Sequence, residues 1–491
     1  MLGRFVNSLA RARPSRSAGA VPATLPPDRA PFSYFWPYPG ALSAPAWQFN
    51  HAVGRLVRSM PESREELAAD SRWPAFFPSS ICLATVCHDG VAHLEKVVGA
   101  TIVNRFPYVL ALSFCRQPLS PRHYVRRTFM DALEASGRAA IQFIMPGEAL
   151  ARVMAAIANV PEDATAERFF ATGVQARQAW SSAAPVLEPA YLVYECRLVK
   201  PARDFEGVPI NSSAWKDSGS HRIYFLEIES ISLREEIASG ATPLWWRSLP
   251  TWRGGPAPTR TDGTADHRSR VLARTSFIKP YSPDYAFPSS GTVAFEADEH
   301  RDGFAIKHLP PLPKGQLHVD NDQARWPCFF PSSLGMITVQ DRNGSLGGLS
   351  CGSTTVVSRH PLTMAICVSY APINERYAPR ASLALFEGAD RFGCGLPIYR
   401  KDVVEAIVYL GSVSRRTDVH KIACCGLTPR QLGSTIGFDE LPVHFGCKIV
   451  DRVRLGTHLM LLGEVENVMV RPDVTPNTPL EWCPWAGRTA P

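Results

Sequence analysis

No apolar run in the chain approaches the roughly 20 residues that span a bilayer, so a membrane helix is not expected. There is no Cys-x-x-Cys pair, and His, Cys, Asp and Glu never recur at metal-ligand spacing. That removes zinc ribbons and dithiol redox motifs, and no metal site is predicted. A Gly-x-Ser-x-Gly elbow and a Gly-x-Gly-x-x-Gly turn are also missing, which excludes the usual hydrolase nucleophile and the Rossmann dinucleotide fingerprint. Charge of one sign is not strongly in excess: 52 Lys and Arg face 45 Asp and Glu, a net +7 over 491 residues. No basic run is interleaved with stacking aromatics, so nucleic acid is not an expected partner. The mild positive bias suits small anions.

What is present reads as globular. Hydrophobic residues make up 45% of the chain and charged residues 20%, and this length implies two or three domains. The 12 cysteines sit mostly inside apolar runs, as at Cys82, Cys351, Cys367 and Cys447. Free buried thiols in a reducing, cytoplasmic setting are expected rather than disulfides. Arg4, Arg11, Arg13 and Arg16 precede the first acid, Asp28. A disordered basic tail over 1–31 is the preferred reading, with a mitochondrial presequence as the alternative.

One phrase occurs twice. Trp73-Pro74-Ala75-Phe76-Phe77-Pro78-Ser79-Ser80 returns as Trp326-Pro327-Cys328-Phe329-Phe330-Pro331-Ser332-Ser333, and the run from His221 to Glu229 is echoed from His458 to Glu466. The landmarks keep their order, so the chain carries a duplicated domain. The first, divergent repeat is placed at 32–239 with an aromatic lead-in, a Gly/Pro-rich linker at 240–280, the second repeat with its own lead-in at 281–471, and a tail at 472–491. Short β-branched segments dominate both repeats. Strands are predicted at 334–339, 353–358, 362–368, 447–453 and 458–470, hairpin turns at Asp89-Gly90 and at Asp341 to Gly344, and helices near 146–157 and 401–410. The fold class is mainly β with peripheral helices (α+β): two small closed barrels with helices outside.

The densest chemistry lies in Gly347-Gly348-Leu349-Ser350-Cys351-Gly352-Ser353-Thr354-Thr355-Val356-Val357-Ser358, followed by Arg359-His360-Pro361. Glycines allow close approach, and the hydroxyls and amides that follow suit a flavin edge or a phosphate; a Ser/Thr-rich edge strand is the structural alternative. Downstream come Ser382, Phe392-Gly393-Cys394-Gly395, then Ser414-Arg415-Arg416-Thr417-Asp418-Val419-His420-Lys421, Gly426-Leu427-Thr428-Pro429 and Gly456-Thr457-His458. In this order the motifs resemble the flavin reductase-like family, the FMN-binding split β-barrels that include flavoredoxin. Cys351 and Gly352 depart from its pattern, and Gly395 stands where that family has Asn.

The resemblance implies a flavin-dependent oxidoreductase holding FMN (alternatively FAD), reduced by NAD(P)H, and passing electrons to a flavin or a small organic substrate. It implies that Ser333, Ser350, Cys351, Gly352, Ser353, Thr354 and Thr355 line the cofactor, although a capped turn after Phe-Phe-Pro explains Ser333 equally well. Arg415, Arg416 and Lys421 would meet its phosphate, with a solvated basic loop as the alternative. His458 would face the reactive ring, or else be a structural histidine. Glu227 and Glu464, inside apolar strands, are read as structural pairs.

The copies differ. Lys96-Val97-Val98-Gly99 replaces Ser350 to Ser353, and the acidic stretch Pro161 to Arg168 replaces Arg415 to Lys421. The first copy also carries an insertion between Cys196 and His221 that includes Phe205 and Trp215. Members of the family are usually homodimers. The fused pair is therefore expected to be an intramolecular pseudo-dimer with one good flavin site, mainly in the second repeat and walled by the first; further homodimerisation stays open. The rival readings are a non-catalytic scaffold on a degenerate barrel and a haem-binding split barrel.

Overall fold

The computed structural model describes residues 35–37, 56–59, 78–80, 82–97, 99–116, 127–144, 148–160, 164–235, 297–309, 317, 333–359, 361–370, 381–397, 401–413, 415 and 420–470. The basic segment 1–31, the linker 240–280, the tail 472–491 and Arg416 lie outside these residues.

The first half lays down β1 (Phe35–Pro37), β2 (Leu56–Ser59), β3 (Pro78–Ser80), β4 (Cys82–His88), β5 (Val91–Val97), β6 (Gly99–Asn104) and β7 (Val109–Cys115). Helix α1 (Arg127–Ser136), β8 (Arg138–Ile144), α2 (Glu148–Asn159), α3 (Thr165–Ala171), β9 (Ala176–Gln178), β10 (Pro185–Leu187) and β11 (Ala190–Leu198) follow. The insertion forms β12 (Ala202–Arg203), β13 (Pro209–Ile210) and β14 (Trp215–Ser218), and β15 (His221–Arg234) closes the half. A hairpin, β16 (Glu299–Arg301) and β17 (Phe304–His308), leads to the second half. That half contains β18 (Ser333–Gln340), β19 (Leu346–Arg359), β20 (Leu362–Ser369), α4 (Leu383–Gly388), β21 (Arg391–Leu396), α5 (Lys401–Ser412), α6 (Lys421–Cys424), β22 (Pro429–Leu432), β23 (Thr435–Phe438), β24 (Val443–Arg454) and β25 (His458–Val470).

In the second half, β18, β19, β20, β25, β24 and β21 pair in that order and β21 returns to β18. The result is a closed antiparallel barrel. The first half closes the same way through β4, β5 with β6, β7, β15, β11 and β8. Even the registers agree. Cys82 faces Val97 as Gly335 faces Cys351, and Cys115 faces His221 as Ser369 faces His458. A bulge falls before Asn104 in β6 and before Ser358 in β19. The two barrels are therefore copies in topology, register and irregularity.

Local chemistry explains the elements. Asp89 and Gly90 take φ of 50° and 77°, the paired positive dihedrals that a two-residue hairpin needs to follow strand twist. In the other copy, Asp341 Oδ1 accepts from the amides of Asn343 and Ser345 at 2.9 and 2.8 Å. Alternation along β18 sends Ile337 and Val339 into the barrel, while Leu334 and Met336 meet Val403, Ile407 and Leu410 of α5 outside it. The buried Glu227 pairs with Arg197 at 3.0 Å, and Glu464 sits opposite Lys448 in the ladder. All the described cysteines are free. No helix among the described residues is long and apolar enough to cross a membrane.

The halves form one body around a shared apolar seam. Val103, Val109, Ile223 and Phe225 of the first half pack with Val357, Cys367, Met460 and Leu462 of the second. Full burial of each such side chain is worth about 1.5–3 kcal/mol. The contacts are isologous, as a pseudo-twofold requires. Asn104 meets Thr457, and their counterparts Ser358 and Ser220 also meet. Strands are exchanged as well. β2 pairs with β25 of the second barrel, while β17, which leads into the second half, pairs with β15 of the first.

Candidate functional site

The hydroxyl-rich strand β19 places its candidate residues on different faces. Ser350 points out of the barrel, and its hydroxyl donates to Ile407 O of α5 at 2.8 Å. Cys351 points into the barrel core, with its thiol toward Ser353 O and Cys367 O. Thr354 is fully buried and donates back to Cys351 O at 3.0 Å. Thr355 is buried too. These side chains serve the fold, because a strand alternates its faces and cannot turn a consecutive run toward one ligand. Gly352 and Ser353 are only half-buried. Ser333 faces Thr354 in the ladder.

The cations separate in the same manner. Lys421 is buried, and its ammonium donates to Leu410 O and Val413 O, both at 2.9 Å. It caps the C-terminal end of α5, where a positive charge is favoured. The expectation that Lys421 reaches out to a phosphate thus gives way to a capping role. Arg415 behaves differently. Its stem lies over Gly347, it is half-buried, and its Nε is buried with no hydrogen-bond partner. A guanidinium with an unmet donor at a strand start can receive an anion.

The first half shows what became of the corresponding place. Arg168 lies as Lys421 does, with one nitrogen 3.4 Å from Val160 O at the end of α2. Its other arm pairs with Glu95 at 2.8 Å, and the two side chains are 3% and 0% exposed. Glu95 occupies the register position of Leu349, and His93 that of Gly347. His93 Nδ1 lies 2.9 Å from Thr165 Oγ1. Burial, then the charge of His88, holds its pKa below the ordinary value. An internal carboxylate thus meets the cation in this half, and a histidine stands where the glycine was.

His458 opens β25 at the seam. Its Nδ1 lies 2.8 Å from Thr457 Oγ1, and its amide donates to Asn104 Oδ1 of the first half at 2.9 Å. Gly456, at φ 124°, lets the turn dock: a Cβ there would overlap Phe106 O and lie 2.8 Å from Asn104 Nδ2. The first-half insertion reaches the same end of the second barrel. Asp204 is fully buried and accepts from Tyr370 Oη and from Arg454, each at 2.9 Å. Glu206 also binds Arg454 at 2.8 Å. Burial, then the Asp204 hydrogen bond, pushes the Tyr370 hydroxyl far above its usual range, so it stays a donor. Phe205 packs against the second-half core, and Lys216 forms an ion pair with Asp451.

Sequence reasoning missed two things here. Asn104 was overlooked, although Val103-Asn104-Arg105-Phe106-Pro107 echoes Val357-Ser358-Arg359-His360-Pro361 with Asn in place of Ser. The departure at Gly395 has a packing cause. A Cβ at Gly395 would overlap Leu441 Cδ1, and one at Gly393 would strike Ile436 O and the Thr338 hydroxyl. Hairpin β22–β23 lies directly on these glycines, with Thr338 donating to Ile436 O. In the first half Gln142 holds the position of Gly395, and its side chain binds Thr85, Pro185 O and Leu187 N instead.

Fold and seam together define a tandem split-barrel protein with an intramolecular pseudo-twofold. A family model described as the flavin reductase like domain matches residues 76–252 and again 328–488, once on each barrel. The matches cover more than half of the chain, which belongs to this family. Among solved structures, nitrilotriacetate monooxygenase component B from Bacillus cereus is similar at 17% identity over 29% of this chain and 71% of that one, with a TM-score of 0.25. The component B homologue from Mycobacterium thermoresistibile shares 22% identity over 30% and 72%, with a TM-score of 0.24. An FMN-binding protein from Thermus thermophilus shares 15% over 30% and 78%, at 0.25. No curated protein sequence matches the chain.

Proposed function

We propose that the chain is a flavin-dependent oxidoreductase in which the second barrel holds FMN or FAD. NAD(P)H would supply electrons, and a second flavin or a small organic molecule would take them. Family membership supports the class of reaction. The observation that carries the assignment to the second half is the half-buried Arg415 guanidinium, which lies over Gly347 with its Nε unpartnered, set against His93, which stands at the position of Gly347 in the first half and meets Thr165.

The residues present fit such a cofactor in part. Arg415 offers a charge-assisted donor for a phosphate, and the half-buried Gly352 and Ser353 lie on β19 with a hydroxyl at Ser353. Ser350, Cys351, Thr354 and Lys421 are taken up by the fold. Bound flavin would supply the hydride and electron chemistry; the protein supplies position and electrostatics. The insertion, through Asp204, Glu206 and Phe205, would exclude water from the Tyr370 end of the second barrel. Buried free thiols fit a reducing compartment such as the cytoplasm.

The test is a visible spectrum and a flavin count on purified protein. One flavin per chain is expected, and two tightly bound flavins would remove the asymmetry. Arg415→Glu should weaken flavin binding about tenfold or more, since a charge-assisted bond is worth roughly 1.5–3 kcal/mol. Unchanged affinity would take Arg415 out of the site.

A further inference from the structure

We infer that Asn211, in the first-half insertion, is a ligand-recognition residue whose carboxamide receives the amide or imide edge of a planar ring, as a nicotinamide or a flavin pyrimidine ring presents. The inference concerns binding and goes beyond the functional reading above: it needs neither a flavin on Arg415 nor any redox step.

Three residues other than glycine take a positive φ among the described residues: Asp89 at 50°, Asn211 at 53° and Asp302 at 53°. Asp89 and Asp302 are exposed, and each opens a two-residue hairpin turn that a glycine completes. Asn211 has no such reason. It follows β13 and stands in no hairpin, because β13 pairs with β12 and β14 with β15, and the next residue is Ser212. Asparagine tolerates the left-handed region because its short side chain can hydrogen-bond nearby backbone. Here that bond is not made. Asn211 is 7% exposed, and neither its Oδ1 nor its Nδ2 has a hydrogen-bond partner among the described residues. A left-handed residue whose donor and acceptor are both buried and unmet is a costly arrangement that a plain turn does not explain.

The same insertion shows how a buried polar side chain is met when its role is structural. Asp204 accepts from the amides of Glu206 and Val208 and from Tyr370 and Arg454, each at 2.9 Å. The side chains packed with the neighbouring Ile210 are apolar: Phe106, Phe205 and Leu317, with the two rings 6.3 Å apart. They offer Asn211 no polar group, and a trapped water needs roughly two to four polar partners. A planar ring with adjacent C=O and N–H groups supplies both missing bonds at once, and its faces suit aromatic neighbours. The place also has a way in and a position that matters. Ser212 and Ser213, directly after Asn211, are exposed. Phe106 lays its amide against Thr457 Oγ1 at 3.3 Å and its carbonyl against Gly456, so the apolar cluster borders the turn that carries His458.

The test is calorimetric titration of the full chain, with any flavin it retains, against two probes and their controls. Nicotinamide is set against 3-acetylpyridine, whose ketone lacks the amide nitrogen, and riboflavin against 3-methylriboflavin, whose imide proton is replaced. At least one probe should bind about tenfold or more tighter than its control, since a site that hydrogen-bonds its ligand rejects an analogue that leaves a group unpaired. The probe that does so tells nicotinamide from flavin. Glycine adopts φ 53° without strain, so Asn211→Gly should fold and erase the preference. It should also raise the thermal midpoint of the chain without probe by about 2 °C or more, because two unmet groups are gone. No preference for either probe in the wild type overturns the inference without recourse to a variant. A preference that survives Asn211→Gly also overturns it, and belongs to the proposed flavin site if Arg415→Glu removes it. A thermal midpoint that fails to rise in Asn211→Gly marks an asparagine held by water and overturns it too. A preference lost in Asn211→Gly and kept in Arg415→Glu, in a chain that retains no flavin, upholds this site and rejects the flavin assignment on Arg415.

Discussion

The two barrels share strand order, register and bulges, yet they fill the same positions with opposite materials. The first half buries polar groups and pairs them: Glu95 with Arg168, His93 with Thr165, Gln142 with Thr85 and Leu187, and Glu195 with the amides of Trp180 and Ser181. At the matching positions the second half has Leu349, Gly347, Gly395 and Gly446. Topology is held by ladders and apolar packing, and many side chains satisfy those demands. At this one place the first half sets a carboxylate against its cation and a histidine against a threonine, whereas the second half keeps a glycine and leaves Arg415 Nε without a hydrogen bond.

The largest expected effect on this contrast comes from Glu95→Leu, which gives the first half the second half's residue. Arg168 would be left charged and buried, at a cost of about 3–5 kcal/mol in chemical denaturation. Adding Arg168→Leu should recover most of it, because an apolar pair of similar volume is often no worse than a buried ion pair. A cost below about 1 kcal/mol for Glu95→Leu would show that the pair is not sealed from water.

Next is a pH effect from a buried histidine of the second half. Burial lowers the His444 pKa from 6.5 to about 3, with Thr435 Oγ1 2.8 Å from Nε2. The unfolded chain takes up a proton that the folded chain refuses. Stability is therefore full above pH 6.5 and falls as pH drops toward 3, by roughly 2–3 kcal/mol at pH 4.5. His444→Gln should flatten the curve between pH 6.5 and 4.5, and an unaltered slope would assign the acid sensitivity elsewhere.

A methyl group offers a finer comparison. Ala140 and Gly393 hold the same register position. Gly393→Ala should cost about 1–3 kcal/mol by driving a Cβ into the hairpin backbone, whereas Ala140→Gly should cost about 1 kcal/mol or less. The smallest effect should be Ser358→Ala, which removes only a 3.4 Å hydroxyl contact and is expected to stay within about 1 kcal/mol. A loss from Ser358→Ala as large as that from Asn104→Ala would erase the asymmetry at the seam.

Much of the architecture was legible because it is written in local signals. The repeated Trp-Pro-x-Phe-Phe-Pro-Ser-Ser phrase marked the duplication, Asp89-Gly90 and Asp341 to Gly344 marked hairpins, and the apolar spacing over 401–410 marked α5. The site was less legible because its residues act through distant partners. Lys421 looks like a phosphate ligand in sequence and becomes a cap only once α5 ends beside it. Ser350 and Thr354 look like one hydroxyl cluster until the pleat assigns them other tasks. Gly395 looked like decay of a motif, and Leu441, 46 positions later, is what fills its space. Asn104 belonged to the copy that seemed to have lost its chemistry, and nothing in a linear reading ties it to a residue 353 positions away.

The exchanged strands bear on how this gene product can be taken apart. Because β2 zips onto β25 and β17 onto β15, the strand that precedes each barrel in the chain finishes the wall of the other. Trimming the amino terminus through residue 59 would therefore fray the carboxyl-terminal half, and protease fragments cut between the barrels should stay entwined until denatured.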